Sequence, residues 1–333
     1  MGNTINSITV AGGGSWGTAL AHHCAARGMD VRLWLRDAAV AEAINSTHEN
    51  PRYLRGHALH PGVRATTDPA CLHCQHVLLA IPVQQLRAWL ATYGTHFCEA
   101  PVCVNAAKGL EVGSLEPPSR IVARELAGKN PRFAMLSGPS FAEEVMRGLP
   151  TAVVLASADA ALGQTLRESL SGPAFRCYSS TDVAGVELGG ALKNVMAIAA
   201  GLCDGLGLGH NSRAGLVTRG LAEMGRLGVA LGAEARTFMG LSGLGDLTLT
   251  CTGDLSRNRQ VGLRLGRGES LAHITASLGM VAEGVTTTEA VHTLARKLGI
   301  DAPISAAVHA VLFEGQAPAA ALDQLMTRTL KDE

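Results

Sequence analysis

Lys193 is the residue of this chain best placed to move a proton. It stands in Gly185–Met224, GVELGGALKNVMAIAAGLCDGLGLGHNSRAGLVTRGLAEM. There Leu188, Leu192, Val195, Ala199 and Leu202 recur at three- and four-residue spacing, which predicts a helix. A second face of that helix sets Gly189, Gly190, Ala197 and Ala200 around the lysine. Glycine inside a helix costs about 1 kcal/mol against alanine, so the pair at 189–190 implies close approach of another backbone or of a ligand. Neighbours that small leave an ammonium partly desolvated, which lowers its pKa toward the range useful for acid–base chemistry. The competing expectation is a lysine that snorkels to water from a tightly packed helix.

A second group is built to hold phosphate. Ser7–Gly12 is a short β-rich run, followed by Gly12-Gly13-Gly14-Ser15-Trp16-Gly17 and a helical pattern over Thr18–Arg27. This is G-x-G-x-x-G between a strand and a helix. Gly12 makes the turn, Gly14 lets the backbone approach a pyrophosphate, and Gly17 allows close helix–strand packing. The pyrophosphate then meets the N–H groups of the helix start. Val31–Leu35 supplies the second strand, and its tip reads Arg36-Asp37. An arginine there accommodates the 2′-phosphate of NADP, so NADP(H) is favoured, while Asp37 leaves NAD(H) open.

Ser256-Arg257-Asn258-Arg259 is a further anion candidate. Ser256 is a good N-cap, but two arginines in a first helical turn oppose the helix dipole. An anion at that helix end removes the conflict, and a phosphate is the natural guest. Leu241-Ser-Gly-Leu-Gly-Asp246 places an acid after a glycine-rich turn, where it either orients the Lys193 ammonium or caps the next element. Lys108-Gly109 and Ser137-Gly138-Pro139-Ser140 follow strand-like runs. Lys108 suits a substrate anion or an ordinary surface loop. Ser140-Phe-Ala-Glu143 fits a capping box opening a helix over Phe141–Arg147, and Thr286-Thr-Thr-Glu289 fits another, opening Ala290–Leu298.

These residues need a scaffold, and the pattern supplies one. Strand-like runs at Val77–Ile81, Val102–Asn105, Phe133–Leu136 and Val153–Ala156 mostly alternate with helical stretches. That predicts an α/β fold with an N-terminal, Rossmann-like, doubly wound sheet. Ligands of such sheets sit beyond the carboxyl ends of the strands. After Ser180 only helical patterns follow, including Pro303–Phe313 and Ala319–Leu330, so an all-α C-terminal domain is expected. The expected domains are 1–185, binding the dinucleotide, and 186–333, carrying substrate and catalysis.

Composition bounds the function. The 333 residues are 17% charged with zero formal net charge, which argues against nucleic acid as a partner. No run of about 18 uncharged apolar residues forms a membrane span, and the N-terminus lacks the pattern of a secretion signal, so a cytoplasmic location without membrane insertion is expected. Eight cysteines lie mostly in or beside apolar runs, the habit of reduced buried thiols. Cys71-Leu-His-Cys74 is half of a zinc pattern without a second half, so no metal is expected. Glycine- and alanine-rich helices permit a homodimer.

Taken together, GGGSWGTALA (12–21), NAAKGLE (105–111), SGPSFAEEV (137–145), GVELGGALKNVMAIAAG (185–201), RTFMGLSGLGDLTLTCT (236–252), SRNR (256–259) and VAEG (281–284) closely resemble the bacterial NAD(P)-dependent sn-glycerol-3-phosphate dehydrogenases. The resemblance runs through nearly the whole chain in the expected order. It implies that Lys193 is the acid/base in reduction of dihydroxyacetone phosphate, a reaction that supplies glycerophospholipid synthesis. It implies substrate contacts at Lys108, Gly138, Ser140, Asp246, Ser256, Arg257 and Asn258. It also implies cofactor contacts at Ser15, Trp16, Arg36, Lys108, Ala142, Arg257, Val281 and Glu283, beside the fingerprint glycines. Trp16 stands where Phe or Tyr is common, and Arg36 where some members carry histidine.

Two rival readings remain at this level. One is a related two-domain β-hydroxyacid-type dehydrogenase acting on another phosphorylated hydroxy acid such as 6-phosphogluconate; the SRNR and GLGDLTLTCT segments fit it less well. The other is a non-catalytic NAD(H)-sensing regulator, for which a basic recognition helix is lacking.

Overall fold

The computed structural model describes residues 5–278 and 282–329. Their contacts divide the chain into two compact units. The first runs to Ala107 and resumes over Pro117–Val186; the second takes Lys108–Glu116 and the chain from Glu187 onward. A single boundary near 185 therefore misses the excursion at 108–116, which is tied by Lys108 to Asp246 and Glu283 of the second unit.

The first unit is an eight-stranded sheet in the order β3-β2-β1-β4-β5-β6-β7-β8. The strands are β1 (Ser7–Ala11), β2 (Asp30–Trp34), β3 (Val63–Thr66), β4 (His76–Leu79), β5 (Val102–Asn105), β6 (Arg132–Ser137), β7 (Thr151–Ala156) and β8 (Phe175–Ser180). All neighbours are parallel except β6 and β7, which run antiparallel with Leu136 opposite Leu155. The helices are α1 (Ser15–Ala26), α2 (Ala38–Thr47), α3 (Val83–Tyr93), α4 (Pro118–Glu125), α5 (Ala142–Met146) and α6 (Ala160–Leu170).

Side-chain alternation along the strands makes two apolar layers. Leu78 of β4 joins Val10, Leu33 and Val104 under α1, α2 and α6, whereas Val77 and Leu79 join Trp34 and Cys103 under α3 and α4. Burial on both faces is why β4 and β5 read as unbroken apolar runs. Strands β3 and β8 escape such a reading because they are the two edges of the sheet. Arg64 of β3 and Arg176 and Tyr178 of β8 face solvent.

The second unit is helical. Its elements are α7 (Val183–Gly205, in this unit from Glu187), α8 (Gly209–Ala230), α9 (Ala235–Phe238), α10 (Asp246–Thr252), α11 (Arg257–Gly266), α12 (Leu271–Leu278), α13 (Glu283–Leu298), α14 (Pro303–Phe313) and α15 (Pro318–Met326). Among the described residues α7 is the one helix long and apolar enough to cross a membrane, and the whole of that apolar stretch is buried in the protein. Of the two explanations for Gly189, backbone approach is the one found: a Cβ there would lie 2.6 Å from the carbonyl oxygen of Ser242. Leu188, Leu192, Val195, Ala199 and Leu202 are all buried.

Two expectations for this unit are corrected. Helix α13 begins at Glu283, not after a capping box at Thr286. Thr286 and Thr288 lie inside it and donate back to the carbonyls of Glu283 and Gly284, a bond threonine makes readily within a helix. The last helix spans Pro318–Met326 rather than 319–330, and residue 330 lies outside the described residues.

Helix α14 is capped from a distance. Glu223 of α8, fully buried, accepts from the Ile304 N–H at 2.8 Å, the Ser305 N–H at 2.9 Å and the Ser305 hydroxyl at 2.6 Å. Burial raises the Glu223 pKa despite these three donors. A raised folded value means that its contribution to stability is fully present below the ordinary carboxyl pKa and falls as pH rises through the folded one. Glu223→Ala leaves three buried donors unpaired and is expected to lower unfolding free energy by about 3 kcal/mol or more, read from urea melts at neutral pH. Unchanged melts would remove Glu223 from this role.

Candidate active site

The second unit gathers a lysine, a carboxylate and a hydroxyl. Lys193 lies midway along α7 and is 7% exposed. Its Nζ donates to Asp246 Oδ1 at 2.7 Å and to Thr250 Oγ1 at 2.7 Å. Asp246 opens α10 directly after a glycine-rich stretch of π-helix over Leu241–Gly245, and is 1% exposed. Thr250 sits one turn further along α10 and donates to the Asp246 carbonyl at 2.6 Å, which leaves its lone pairs toward Lys193. Lys108 Nζ donates to the other carboxylate oxygen, Oδ2, at 2.6 Å.

Charge and burial tune this group. Burial lowers the Lys193 pKa from its ordinary value to about 8; Asp246 opposes the shift and Lys108 adds to it. For Asp246 burial acts to raise the pKa, but Lys108 and Lys193 together hold the carboxyl below its usual range. The carboxylate is thus a fixed anion between two cations. An ammonium has three donors, and two of those on Lys193 are taken by Asp246 and Thr250. The third has no partner among the described residues.

The start of α11 is organised differently from the expectation of two arginines serving one anion. Ser256 caps the helix, its Oγ accepting from the Arg259 N–H at 3.3 Å. Arg259 turns away into protein carboxylates, pairing with Asp204 at 2.7 Å and Asp254 at 2.9 Å. Its charge is therefore already matched; Arg257 is exposed. Asn258 donates to Asn194 Oδ1 at 2.9 Å and accepts from the Gly284 N–H at 3.0 Å, which ties α11 to α7 and to the first turn of α13. Glu283 in that turn accepts weakly from the Lys108 N–H at 3.4 Å.

In the first unit the fingerprint forms a cradle. Gly12 has φ +115°, in the region that favours glycine, and a Cβ there would press on the Ala80 carbonyl. A Cβ on Gly17 would overlap the Gly12 carbonyl, so helix and strand meet there backbone to backbone. Gly14 faces open space at the start of α1, and no side chain caps that helix. Ser15 donates to the Tyr53 carbonyl at 3.1 Å, and Trp16 is half-buried beside the core. An uncapped helix start under an open glycine fits a pyrophosphate.

At the tip of β2, Arg36 is exposed. Asp37 is a structural cap: its Oδ1 accepts from the Ala39 and Val40 N–H groups at 3.0 and 3.2 Å, and its other oxygen faces Arg52 at 3.5 Å. Gly138, at the end of β6, has φ +134°, and a Cβ there would lie 2.9 Å from the Val153 Cα. Ser140 is not the cap of a helix, as the capping-box pattern predicts. Helix α5 starts later, at Ala142, with Phe141 as its N-cap, and the Ser140 hydroxyl donates to the Gly138 carbonyl at 2.9 Å.

The structure thus brings Lys193, Asp246 and Lys108 together, with Ser256, Arg257, Asn258 and Glu283 in the same unit. It places Gly12, Gly14, Ser15, Trp16, Gly17, Arg36, Gly138, Ser140 and Ala142 in the other. Val281 lies outside the described residues. Sequence reasoning passed over Thr250 and Asn194. The first was findable, since it stands four residues after Asp246 and shares its helix face. Among the described residues, Cys71 and Cys74 belong to no cluster with metal-binding spacing.

Comparison with known proteins bears on both units. Residues 7–163 match the family described as NAD-dependent glycerol-3-phosphate dehydrogenase N-terminus, and residues 182–323 its C-terminus. The chain is 68% identical over 327 residues to a glycerol-3-phosphate dehydrogenase (NAD(P)+) of Desulfovibrio desulfuricans, covering 98% of each chain. It is 48% identical to one of Geobacter sulfurreducens, again over 98% of both. A crystal structure of glycerol-3-phosphate dehydrogenase from Coxiella burnetii superposes with a TM-score of 0.93 at 40% identity, covering 97% of this chain and 99% of that one.

Proposed function

Because the chain belongs to the family of NAD-dependent glycerol-3-phosphate dehydrogenases, we propose that it reversibly reduces dihydroxyacetone phosphate to sn-glycerol 3-phosphate, with Lys193 as acid and base. The observation that carries this is the buried Lys193 ammonium, held by Asp246 and Thr250 with its third donor direction unclaimed. A bound nicotinamide supplies the hydride to C2 in one direction and takes it up in the other. Lys193 gives its proton to the oxygen on C2 as that carbon is reduced, and takes it back in oxidation. With a pKa of about 8 the group is mostly protonated at neutral pH, which suits the reducing direction. Asp246 keeps the ammonium oriented, and Thr250 fixes its rotation.

The substrate phosphate is held by Ser256, Arg257 and Asn258 at the α11 start, with Lys108, Gly138 and Ser140 as further contacts. Gly12, Gly14, Ser15, Trp16, Gly17, Arg36 and Ala142 bind the dinucleotide, and Lys108, Arg257, Val281 and Glu283 complete its contacts. NADP(H) is the preferred cofactor: the Asp37 carboxylate is spent on capping α2, and Arg36 is exposed to meet a 2′-phosphate. No metal enters the reaction. The enzyme works in the cytoplasm without membrane insertion, as a homodimer, and supplies glycerophospholipid synthesis.

The test is loss of reduced-nicotinamide absorbance with dihydroxyacetone phosphate, run with NADPH and with NADH. Substrate-dependent consumption, faster with NADPH, is expected. Protein that binds NADPH yet consumes none of it, while turning over another phosphorylated hydroxy acid, would overturn the substrate assignment. Arg36→Ala is expected to lower kcat/KM for NADPH by about tenfold or more, the scale of one charge-assisted contact, with little change for NADH. Equal losses with both cofactors would remove Arg36 from the 2′-phosphate.

A further inference from the structure

We infer that His292, His309 and Glu314 form a binding site for one divalent transition-metal ion of the zinc class, clasping α13 to α14 away from the proposed catalytic group. One ligand atom from each of the three lies within 4.8 Å of the other two. His292 projects from α13 and His309 from α14, and their imidazole rings stack at 3.9 Å between centroids with 12° between planes. His309 Nδ1 lies 3.0 Å from Glu314 Oε1. Glu314 directly follows α14 and is exposed, so its carboxylate can turn toward an ion without moving the helix.

The hydrogen-bonded His309–Glu314 pair and the neighbouring His292 bring three donors together, and a turn of the His292 ring out of the stack aims both imidazole lone pairs at one ion. His292 makes no hydrogen bond among the described residues, so its lone pair is uncommitted. His309 is 16% exposed in its side chain and packs on Phe313 at 5.1 Å, which limits its rotation. Neutral imidazole and carboxylate are the donors that zinc takes at about 2 Å, and two imidazoles with one carboxylate leave a fourth position for water. Calcium and magnesium prefer all-oxygen shells and are excluded by the donor set.

The site lies about two and a half turns along α13 from Glu283, roughly 13 Å at the rise of a helix, so the ion acts on stability rather than on the reaction. The donors sit on two helices joined through Gly299–Ala302, and an ion spanning them opposes their separation on unfolding.

The test is titration of chelator-treated full-length protein with zinc by calorimetry, and with cobalt by visible absorption. One equivalent of zinc is expected at micromolar concentration, with a raised melting temperature. The cobalt spectrum should have d–d bands and no thiolate charge-transfer band. His292→Ala and His309→Ala should each weaken binding by about tenfold or more while leaving turnover and helix content unchanged; Glu314→Gln should weaken it less. Zinc uptake that survives the double histidine variant, or that is lost instead in Cys71→Ser/Cys74→Ser, would overturn the inference, as would absence of uptake.

Discussion

Lys193→Ala leaves a folded protein that binds NADPH and reduces dihydroxyacetone phosphate at least about 10²-fold more slowly, the scale of a lost acid/base. The fold should survive because the substitution does not orphan a charge: Asp246 keeps its 2.6 Å bond to Lys108. The void left on α7 adjoins the Thr250 hydroxyl, which retains its bond to the Asp246 carbonyl. The loss belongs in kcat, with affinity for cofactor unaltered, because the role proposed for the lysine is at the reacting oxygen. Steady-state kinetics alongside a thermal melt separates this from misfolding. Near-normal turnover by the variant would sink the assignment.

Asp246→Asn has the second largest effect and a more specific signature. The carboxylate is 1% exposed and accepts from two ammonium groups at 2.6 and 2.7 Å. Removing its charge leaves two buried cations in mutual repulsion, and breaking such a pair is strongly destabilising. Asp246 is also the main influence that raises the Lys193 pKa against burial, so its loss drives that pKa further below about 8. A larger share of Lys193 is then neutral at any given pH. Reduction loses its proton donor and falls by about 10²-fold, while the pH profile of glycerol 3-phosphate oxidation moves to lower pH. A profile that stays in place while activity falls would make Asp246 a purely structural anchor. If the asparagine variant does not fold, Asp246→Glu, which keeps the charge, should restore folding with a smaller loss.

What could be read from the sequence follows from which forces act locally. Strands β4 and β5 are buried on both faces, so their burial is written as nearly continuous apolar runs. Strands β3 and β8 close the sheet at its edges, where VRAT commits two of its four residues to the core and FRCYSS two of its six. Lys193 stood out because small residues surround it, but Gly189 is small for the sake of the Ser242 carbonyl and not for a ligand. Asp246 was legible from its glycine-rich surroundings, and Thr250 only through its four-residue spacing from Asp246, which the sequence reading passed over. The capping-box patterns at Ser140 and Thr286 misled for one reason: serine and threonine can also bond back to nearby carbonyls, and here they do. Asp37 read only as a residue that leaves NAD(H) open, and its place as the cap of α2, accepting from the Ala39 and Val40 N–H groups, emerges with the fold. The His292–His309 pair was invisible because sixteen intervening residues separate partners that touch only when α13 and α14 pack.

The most direct test of the central claim is the pH dependence of kcat/KM for glycerol 3-phosphate oxidation at saturating NADP+. In the proposed mechanism oxidation needs Lys193 neutral, so the rate should rise with pH and level off above a single apparent pKa near 8, the value set by burial against Asp246. The same break should be absent from the residual activity of Lys193→Ala. A profile that is flat through about pH 8, or a break that persists unchanged in the alanine variant, would contradict a buried lysine as the base.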